Sequence, residues 1–469
     1  MDSRFKKLFS NTLLIGLGSI GSRFIMFFLL PLYTNVLTVE QYGVTELVLI
    51  GTNILYPVVS LTIEDSVLRF GLDKKNVSGQ VFKNAVLVMM CGTFVTLGLI
   101  PLIMKYNPVS EWATYLAIIT ILRMYRTVFS IYLKSVGNIK LFAIDSIIYA
   151  LLLAIMNVLF LLVFKWGLGG FFLANVSATL LSTVFIVVSG GLINIIIKST
   201  INHVLLKSMI IFSTPMIINA LSWWLNSSSN RIILEYYLSA EAVGLYAVAA
   251  KMPILINSVT GIFNQSWMIS SILEYDSTQE KSFYEKSFAG YNFLLVFISS
   301  VIILIIKPFM QFYVGPGFTE SWRYVPYLLL GTIFLSYSGF FGAIYMAVRK
   351  NTLIMLTTMM GAVLNITLCI ILIPRIGILG AALATMIAYI SIGLYRMLNS
   401  RKYFTFNIDF KRTFASLFIL IVQATFVSFD IYSIFISLVS IILILIINNQ
   451  TAKRLIDIGL VAVKDYFAK

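Results

Sequence analysis

Long unbroken apolar runs, separated by short polar and often basic segments, make up most of this chain. The apolar positions are continuous rather than alternating, so the runs predict helices and not strands. Each run is close to the roughly 20 residues that cross a hydrocarbon core of about 30 Å. Taken in order they predict about fourteen transmembrane helices. The expected spans are 11–37, 44–68, 81–104, 111–133, 141–164, 169–197, 206–237, 243–272, 286–307, 322–348, 353–373, 377–395, 413–430 and 432–448. The expected class is an all-α integral membrane protein, because a helix satisfies its own backbone hydrogen bonds in lipid.

Composition agrees with that pattern. Charged residues are 11% of the chain and apolar ones 59%, whereas a soluble domain needs roughly 25% charged residues to cover its surface. The net charge of +15 is spread over many short loops and suits an anionic membrane face, not nucleic acid. Lys105, Lys165, Lys307, Arg323 and Arg375 fall on one side of the predicted membrane. Most other basic residues, among them Arg4, Lys6, Lys7, Lys134, Lys140, Arg401, Lys402, Lys453 and Arg454, fall on the other. The positive-inside rule then places both termini in the cytoplasm. The first apolar run is too long for a cleaved signal peptide and reads as an uncleaved span. Cys91 and Cys369 read as packing residues, and His203 stands alone in a loop, so no metal site is expected.

The chain contains a repeat. Leu37-Thr38-Val39-Glu40-Gln41-Tyr42-Gly43 follows the first span, and Leu238-Ser239-Ala240-Glu241-Ala242-Val243-Gly244 follows the seventh, at an offset of 201 residues. The shared pattern, L-[ST]-x-E-x-x-G, predicts a tight external turn whose glycine takes a backbone conformation closed to other residues. Asn157 with Gly167-Leu168-Gly169-Gly170, and Asn365 with Gly377-Ile378-Leu379-Gly380, form a second pair in the same order. Six spans per unit put both units in one orientation, so the repeat predicts two parallel six-helix lobes with the substrate path between them. The expected division is 1–201, 202–396, and a final helix pair with a cytoplasmic tail over 397–469.

Charges at membrane depth cost about 2.5–3.5 kcal/mol each and are functional candidates by default. Arg23 lies mid-way along the first span. Arg123 and Arg126 share a face of the fourth by their i,i+3 spacing. Arg231 and Lys251 lie in the seventh and eighth. Arg231 is expected to pair with Glu235, while Arg69 and Asp145 are expected to reach water at the cytoplasmic face. A cluster of arginines makes a cationic cavity, and guanidinium forks match phosphate oxygens, so an anionic, phosphate-bearing cargo is expected. Trp223 and Trp224, beside Asn219 and Asn226, interrupt the seventh span with groups suited to sugar rings. Glu64 and Asp65, near the inner end of the second span, are the candidates for ion coupling. No nucleotide-binding, hydrolase or metalloprotease motif is present, so no enzyme activity and no cofactor are expected.

Three stretches carry a resemblance: Pro31–Val44, the run Asn230-Arg231 through Glu241-x-x-Gly244-Leu245-Tyr246 to Lys251, and Asn365 through Ile373-Pro374-Arg375-Ile376-Gly377-Ile378-Leu379-Gly380-Ala381-Ala382. With Leu68-Arg69-Phe70 they resemble the Wzx-type polysaccharide flippases of the multidrug/oligosaccharidyl-lipid/polysaccharide (MOP) exporter superfamily, over about the first 395 residues. The resemblance implies a V-shaped, MATE-like pair of lobes working by alternating access. It implies undecaprenyl-pyrophosphate-linked oligosaccharide as cargo, flipped from the inner to the outer leaflet of a bacterial cytoplasmic membrane. Membrane lipids and other polysaccharide-assembly proteins are the further partners it implies. Arg23, Arg123, Arg126, Arg231 and Lys251 would hold the pyrophosphate, and Asn219, Trp223, Trp224 and Asn226 the sugars. A gradient of H+ or Na+, or the membrane potential, would drive transport. By analogy with lipid II flippases, the last helix pair would form a groove for the lipid tail.

Three alternatives stay open. A drug/cation antiporter of the same superfamily needs carboxylates to dominate the cavity. A lipid II flippase shares the pyrophosphate chemistry. A membrane-embedded polymerase or ligase would carry a large external loop, and the longest expected here is only Pro308–Ser321.

Overall fold

The structure, a computed structural model, describes residues 27–457 apart from 74–76, 255, 258–259, 262, 265–266, 268–279, 349, 404–406 and 456. The described residues are almost entirely helical, and no strand occurs among them. Eleven helices are long and apolar enough to cross a membrane, or twelve if Ser433–Ile447 and Asn449–Leu455, bent by 78°, form one span. These twelve correspond to expected spans two to seven and nine to fourteen. The first and eighth lie partly outside the described residues.

Chain contacts divide the molecule into two units. The first comprises the described residues up to Glu235, with Ser239–Gly244; the second comprises Tyr236–Leu238 and the residues from Leu245 onward.

In the first unit, α1 (Phe27–Val36) leads into α2 (Val39–Val59), α3 (Ile63–Gly71), α4 (Ser78–Ile103), α5 (Ala113–Ser135) and α6 (Ile139–Asn157, continued by a π-helical turn over Val158–Val163). Then come α7 (Gly167–Ser189), α8 (Leu192–Lys198) and α9 (His203–Tyr237). Ile63, Val67, Phe82, Met89 and Met124 are fully buried in its main core, where Phe82 stacks on Tyr132 at 4.2 Å. Hydroxyls within the spans bond back to their own helices, as Thr52, Thr96 and Thr120 do to the carbonyls four residues earlier. That is how a lone polar group is satisfied in an apolar medium.

Several expectations change here. The second span is not one helix. α2 stops at Val59, and Leu61 (φ 51°) and Thr62 (φ 46°) take left-handed conformations before α3 begins. The break is fastened to α9, with Thr62 Oγ1 donating to Ser213 O at 2.8 Å and Ser66 Oγ to Met209 O at 2.6 Å. The sixth span likewise divides at Gly191 (φ +61°) into α7 and α8. The seventh, by contrast, is continuous: α9 runs 35 residues through Pro215, Trp223, Trp224 and Asn226 without interruption, and His203 is its first residue.

The second unit contains most of α10 (Ala240–Lys251), then α11 (Glu280–Tyr313), α12 (Val325–Ala347), α13 (Asn351–Ile376), α14 (Ile378–Ser400), α15 (Phe410–Ser428), α16 (Ser433–Ile447) and α17 (Asn449–Leu455). The stretch 308–321 is no long loop, since α11 runs to Tyr313 and a 3₁₀ segment covers Pro316–Tyr324. α12 is the central helix, buried almost all round, with Tyr337, Phe340 and Phe341 fully inside. Trp267 stacks on Phe340 at 4.1 Å. The final pair docks on α11 through polar groups. Ser300 and Gln423, both fully buried, exchange hydrogen bonds of 2.6 and 2.9 Å, and Lys307 Nζ reaches Asp430 at 2.5 Å.

The repeat is visible in detail. Thr38 Oγ1 accepts from Gln41 N, and Ser239 Oγ from Ala242 N, so both Ser/Thr positions cap a helix start. The glycines that follow lie inside helices, so left-handed freedom is not their reason. They permit contact instead. A Cβ on Gly43 would lie 1.7 Å from Ala240 O, and one on Gly244 would lie 2.3 Å from Val39 O. Residues 39 and 240, and 43 and 244, are repeat mates, and each glycine packs on the other segment's backbone within the first unit. The later pair behaves as its own pair. Gly167 and Gly377 both have positive φ, of 54° and 63°. Gly170 and Gly380 pack on the backbone of the preceding helix, at Phe160 O and Leu372 O. The helices after the glycine crossing pack alike too: α5 on α7 and α6 on α7 in one unit, α12 on α14 and α13 on α14 in the other.

Backbone atoms cannot yield to an added methyl, so Gly43→Ala and Gly244→Ala should each cost about 1–3 kcal/mol. Gly98→Ala, where nothing lies within 4 Å, should cost nothing. Thermal unfolding of the three purified variants reads this directly. Equal midpoints for all three would refute the tight crossing.

Candidate functional site

The break between α2 and α3 lies beside candidate residues of the first unit, with Glu64, Tyr56 and Arg123 close enough to act on one another. A continuous helix would carry Glu64 and Asp65 along the α2 axis. The left-handed pair Leu61-Thr62 instead makes them the first turn of a new helix, where free N–H groups favour negative charge. Asp65 is exposed. Glu64 is half-buried, and its Oε2 is fully enclosed without a hydrogen-bond partner among the described residues. The Tyr56 hydroxyl is buried beside it, and the Arg123 charge is near enough to act on both.

Arg123 and Arg126 do leave α5 on one face, but they turn to different neighbours. The Arg123 side chain is exposed, donates from Nη1 to Asn53 Oδ1 at 2.5 Å, and lies 5.2 Å from the Tyr56 ring. It makes no ion pair among the described residues. Arg126 turns to α6 and α7. Its Nη2 meets Asp145 Oδ2 at 2.7 Å, its Nε donates to Ser182 Oγ at 2.8 Å, and the guanidinium covers the Tyr149 ring at 3.9 Å. Asp145 is 0% exposed and also accepts from the Ser130 and Ser182 hydroxyls. The expectation that Asp145 reaches water is therefore corrected, because it is the buried counter-ion of Arg126. Arg69 is exposed, as expected.

The other candidates lie elsewhere. Arg231 Nε stands 3.6 Å from Glu46 Oε2, across from α9 to α2, while Glu235 accepts from the Tyr106 hydroxyl at 2.6 Å. The carboxylate that distance identifies for Arg231 is thus Glu46, the eighth residue of α2, rather than its helix neighbour Glu235. Lys251 ends α10, half-buried, in the second unit. Asn219 is exposed and Trp224 half-buried on α9; Trp223 and Asn226 are in the same helix, but their side chains lie outside the described residues, as does Arg23.

Sequence reasoning missed one buried cation. Arg396 falls one residue past the expected twelfth span but lies inside α14, 5% exposed. All its bonds run to neutral groups: Thr357 Oγ1, Thr358 Oγ1, Ser338 O and Ile354 O, at 2.9–3.0 Å. The absent side chain of Gly342 leaves room for it, since a Cβ there would sit 3.3 Å from Nη1. It clamps α12, α13 and α14 together. The signal available in the sequence was the pairing of Thr357-Thr358 with a basic residue at the end of the next apolar run.

The comparisons with known proteins match this architecture. Among solved structures, 27 chains match. One is a lipid II flippase, MurJ, in an inward closed conformation, with TM-score 0.67 and 14% identity over 96% of this chain and 100% of that one. Others are a multidrug resistance MATE family transporter of the MOP superfamily, inward-facing, with TM-score 0.66 and 12% identity over 83% of this chain and 94% of that one, and an outward-facing MATE transporter at TM-score 0.55 and 12% identity, over 83% and 92%. The protein is thus a multi-pass membrane protein with the fold of MOP-superfamily transporters. A family model described as polysaccharide biosynthesis protein matches residues 8–268, more than half of the chain, and the chain belongs to that family. No curated protein matches. The solved structures that share its fold are a flippase and multidrug transporters.

Breaking a buried ion pair from one side strands the other charge, at about 3–5 kcal/mol. Asp145→Leu should therefore sharply lower the amount of folded protein recovered from membranes. Adding Arg126→Met should restore much of it. A double variant no better than the single one would contradict the pairing.

Proposed function

We propose that this protein flips undecaprenyl-pyrophosphate-linked oligosaccharides from the inner to the outer leaflet of a bacterial cytoplasmic membrane, with both termini in the cytoplasm. Family membership and the transporter fold support the general activity. The cargo is argued from one observation: Arg123 presents an exposed guanidinium held by an amide and an aromatic ring, with no ion pair among the described residues. A guanidinium so placed keeps its charge and its fork for phosphate oxygens. Arg126 stands beside it, partly neutralised by Asp145; Arg23, Arg231 and Lys251 are the further cationic candidates. Asn219, Trp223, Trp224 and Asn226 are the candidates for sugar contact.

Moving charge across the membrane involves about 2.3 kcal/mol per elementary charge per 100 mV, so an H+ or Na+ gradient or the potential drives the cycle in this reading. Glu64 is the better of the two coupling candidates, because its carboxylate is enclosed beside Arg123 whereas Asp65 faces outward. A second reading, flipping of the peptidoglycan precursor lipid II, is favoured by the match to MurJ, which extends over 96% of this chain against 83% for the MATE transporters.

Export of surface polysaccharide in a deletion strain complemented with variants tests the cargo. Arg123→Ala should lower export about ten- to a hundredfold at equal membrane abundance, the loss of one charged hydrogen-bond partner. Arg123→Lys should rescue it in part, and Glu64→Gln should blunt its dependence on the ion gradient. Normal export by Arg123→Ala would remove the phosphate-site reading; restoration of peptidoglycan synthesis instead of surface polysaccharide would favour lipid II.

A further inference from the structure

At one end of the second unit, α11, the start of α15, Asn448 and α17 line a cavity of about 1110 Å³. It opens because α17 turns 78° away from α16. That turn sends Gln450, Thr451, Arg454 and Leu455 to the cavity, and their spacing puts them on one helix face. Gly290 on α11 leaves space opposite, with Leu455 3.5 Å from where its Cβ would be. The site shares no residue with the Arg123 cluster.

The cavity is amphipathic. Its interior is apolar, formed by Phe283, Phe288, Tyr291, Ile408 and Leu455. Its polar groups include three cations, Lys286, Arg412 and Arg454, from three different helices. Two acids also line it, and both are engaged. Glu285 Oε1 accepts from Asn407 N at 2.8 Å. Asp409 caps α15 by accepting from Arg412 N at 3.0 Å, and stands 3.7 Å from Arg412 Nε. Lys286 and Arg454 make no ion pair among the described residues. The same end carries Arg401 and Lys402, so the cavity sits where the spans meet a basic surface, at the level of lipid headgroups.

We propose that this cavity binds a phosphate-headed anionic lipid, with Arg412, Arg454 and Lys286 on the phosphate and the apolar interior around the start of the chain. Free phosphate would use the cations but leave the aromatic interior unfilled. A neutral lipid would leave three cations facing two acids already engaged. Guanidinium forks from two helices supply the directional contacts that a phosphate takes. The inference stands apart from the transport reading, because it concerns binding alone.

Native mass spectrometry of the purified full-length protein, with phosphatidylglycerol, phosphatidylcholine and undecaprenyl phosphate as probes, tests it. Phosphatidylglycerol should be retained at least about tenfold better than phosphatidylcholine, and an Arg412→Gln, Arg454→Gln double variant should lose about tenfold or more of that retention. Gly290→Phe, which fills the cavity and keeps every charge, should lose it too. Lys105→Gln with Lys165→Gln should leave it unchanged. Displacement of phosphatidylglycerol by undecaprenyl phosphate would identify a polyprenyl phosphate as occupant; failure to displace would identify an ordinary phospholipid, and both support the site. Retention by Gly290→Phe, or equal loss in the Lys105/Lys165 variant, would overturn it. Arg454→Gln alone, a change at an exposed residue, carries the test should the double variant not fold.

Discussion

A charge in the hydrocarbon core has no water to satisfy it, and the polar groups of this chain are arranged around that constraint. Three buried or half-buried arginines meet it in three ways. Arg126 faces a fully buried carboxylate and the Ser182 hydroxyl. Arg231 crosses to Glu46. Arg396 does without a carboxylate and spreads its donors over two threonines and two carbonyls. Arg123 differs from all three. It is exposed, leans on Asn53 and Tyr56, and acts electrostatically on Glu64, which lies on the helix that follows the break in the second span. Such an exposed charge adds little to stability, which is why the proposed function gives it to the cargo.

The break itself illustrates how polar backbone is tolerated at depth. Past Ser60 the regular helical ladder lapses: Leu61 N bonds Val58 O, Ile63 N bonds Ser60 O, and Thr62 N is left to a side chain. Ser60 Oγ accepts from Thr62 N, and Thr62 and Ser66 fasten the segment to α9. Irregular backbone within a membrane persists where other protein buries it, and in transporters such broken helices are where bound groups meet helix ends.

Hydrophobic patterning made the spans legible, because a helix in lipid must be apolar over its whole length. It could not show the breaks at Leu61-Thr62 and at Gly191, since neither interrupts the apolar run. The repeat was legible in L-[ST]-x-E-x-x-G, yet the reason for its glycine was not. Turn freedom and close approach leave the same residue in the sequence, and only the packing of Gly43 on Ala240 and Gly244 on Val39 distinguishes them. Pairings between distant helices were the least legible part of the site. Asp145 lies 19 residues from Arg126 and on another helix, so local spacing pointed to water instead. Arg231 suffered the opposite error, because Glu235 one turn away looked like the natural partner. Arg123, in contrast, stood out from sequence by its expected depth, whereas Glu64 was a candidate near the inner end of the second span.

In the proposed function Arg123, which makes no ion pair among the described residues, reads a pyrophosphate on the cargo. The most direct test of this is the rate at which purified protein in vesicles moves a fluorescent undecaprenyl-pyrophosphate oligosaccharide between leaflets. The account predicts transport by the wild type and a loss of about tenfold or more in Arg123→Ala, with a cargo lacking the pyrophosphate moved poorly by both. Equal rates for wild type and Arg123→Ala, or equal transport of the neutral cargo, would contradict it.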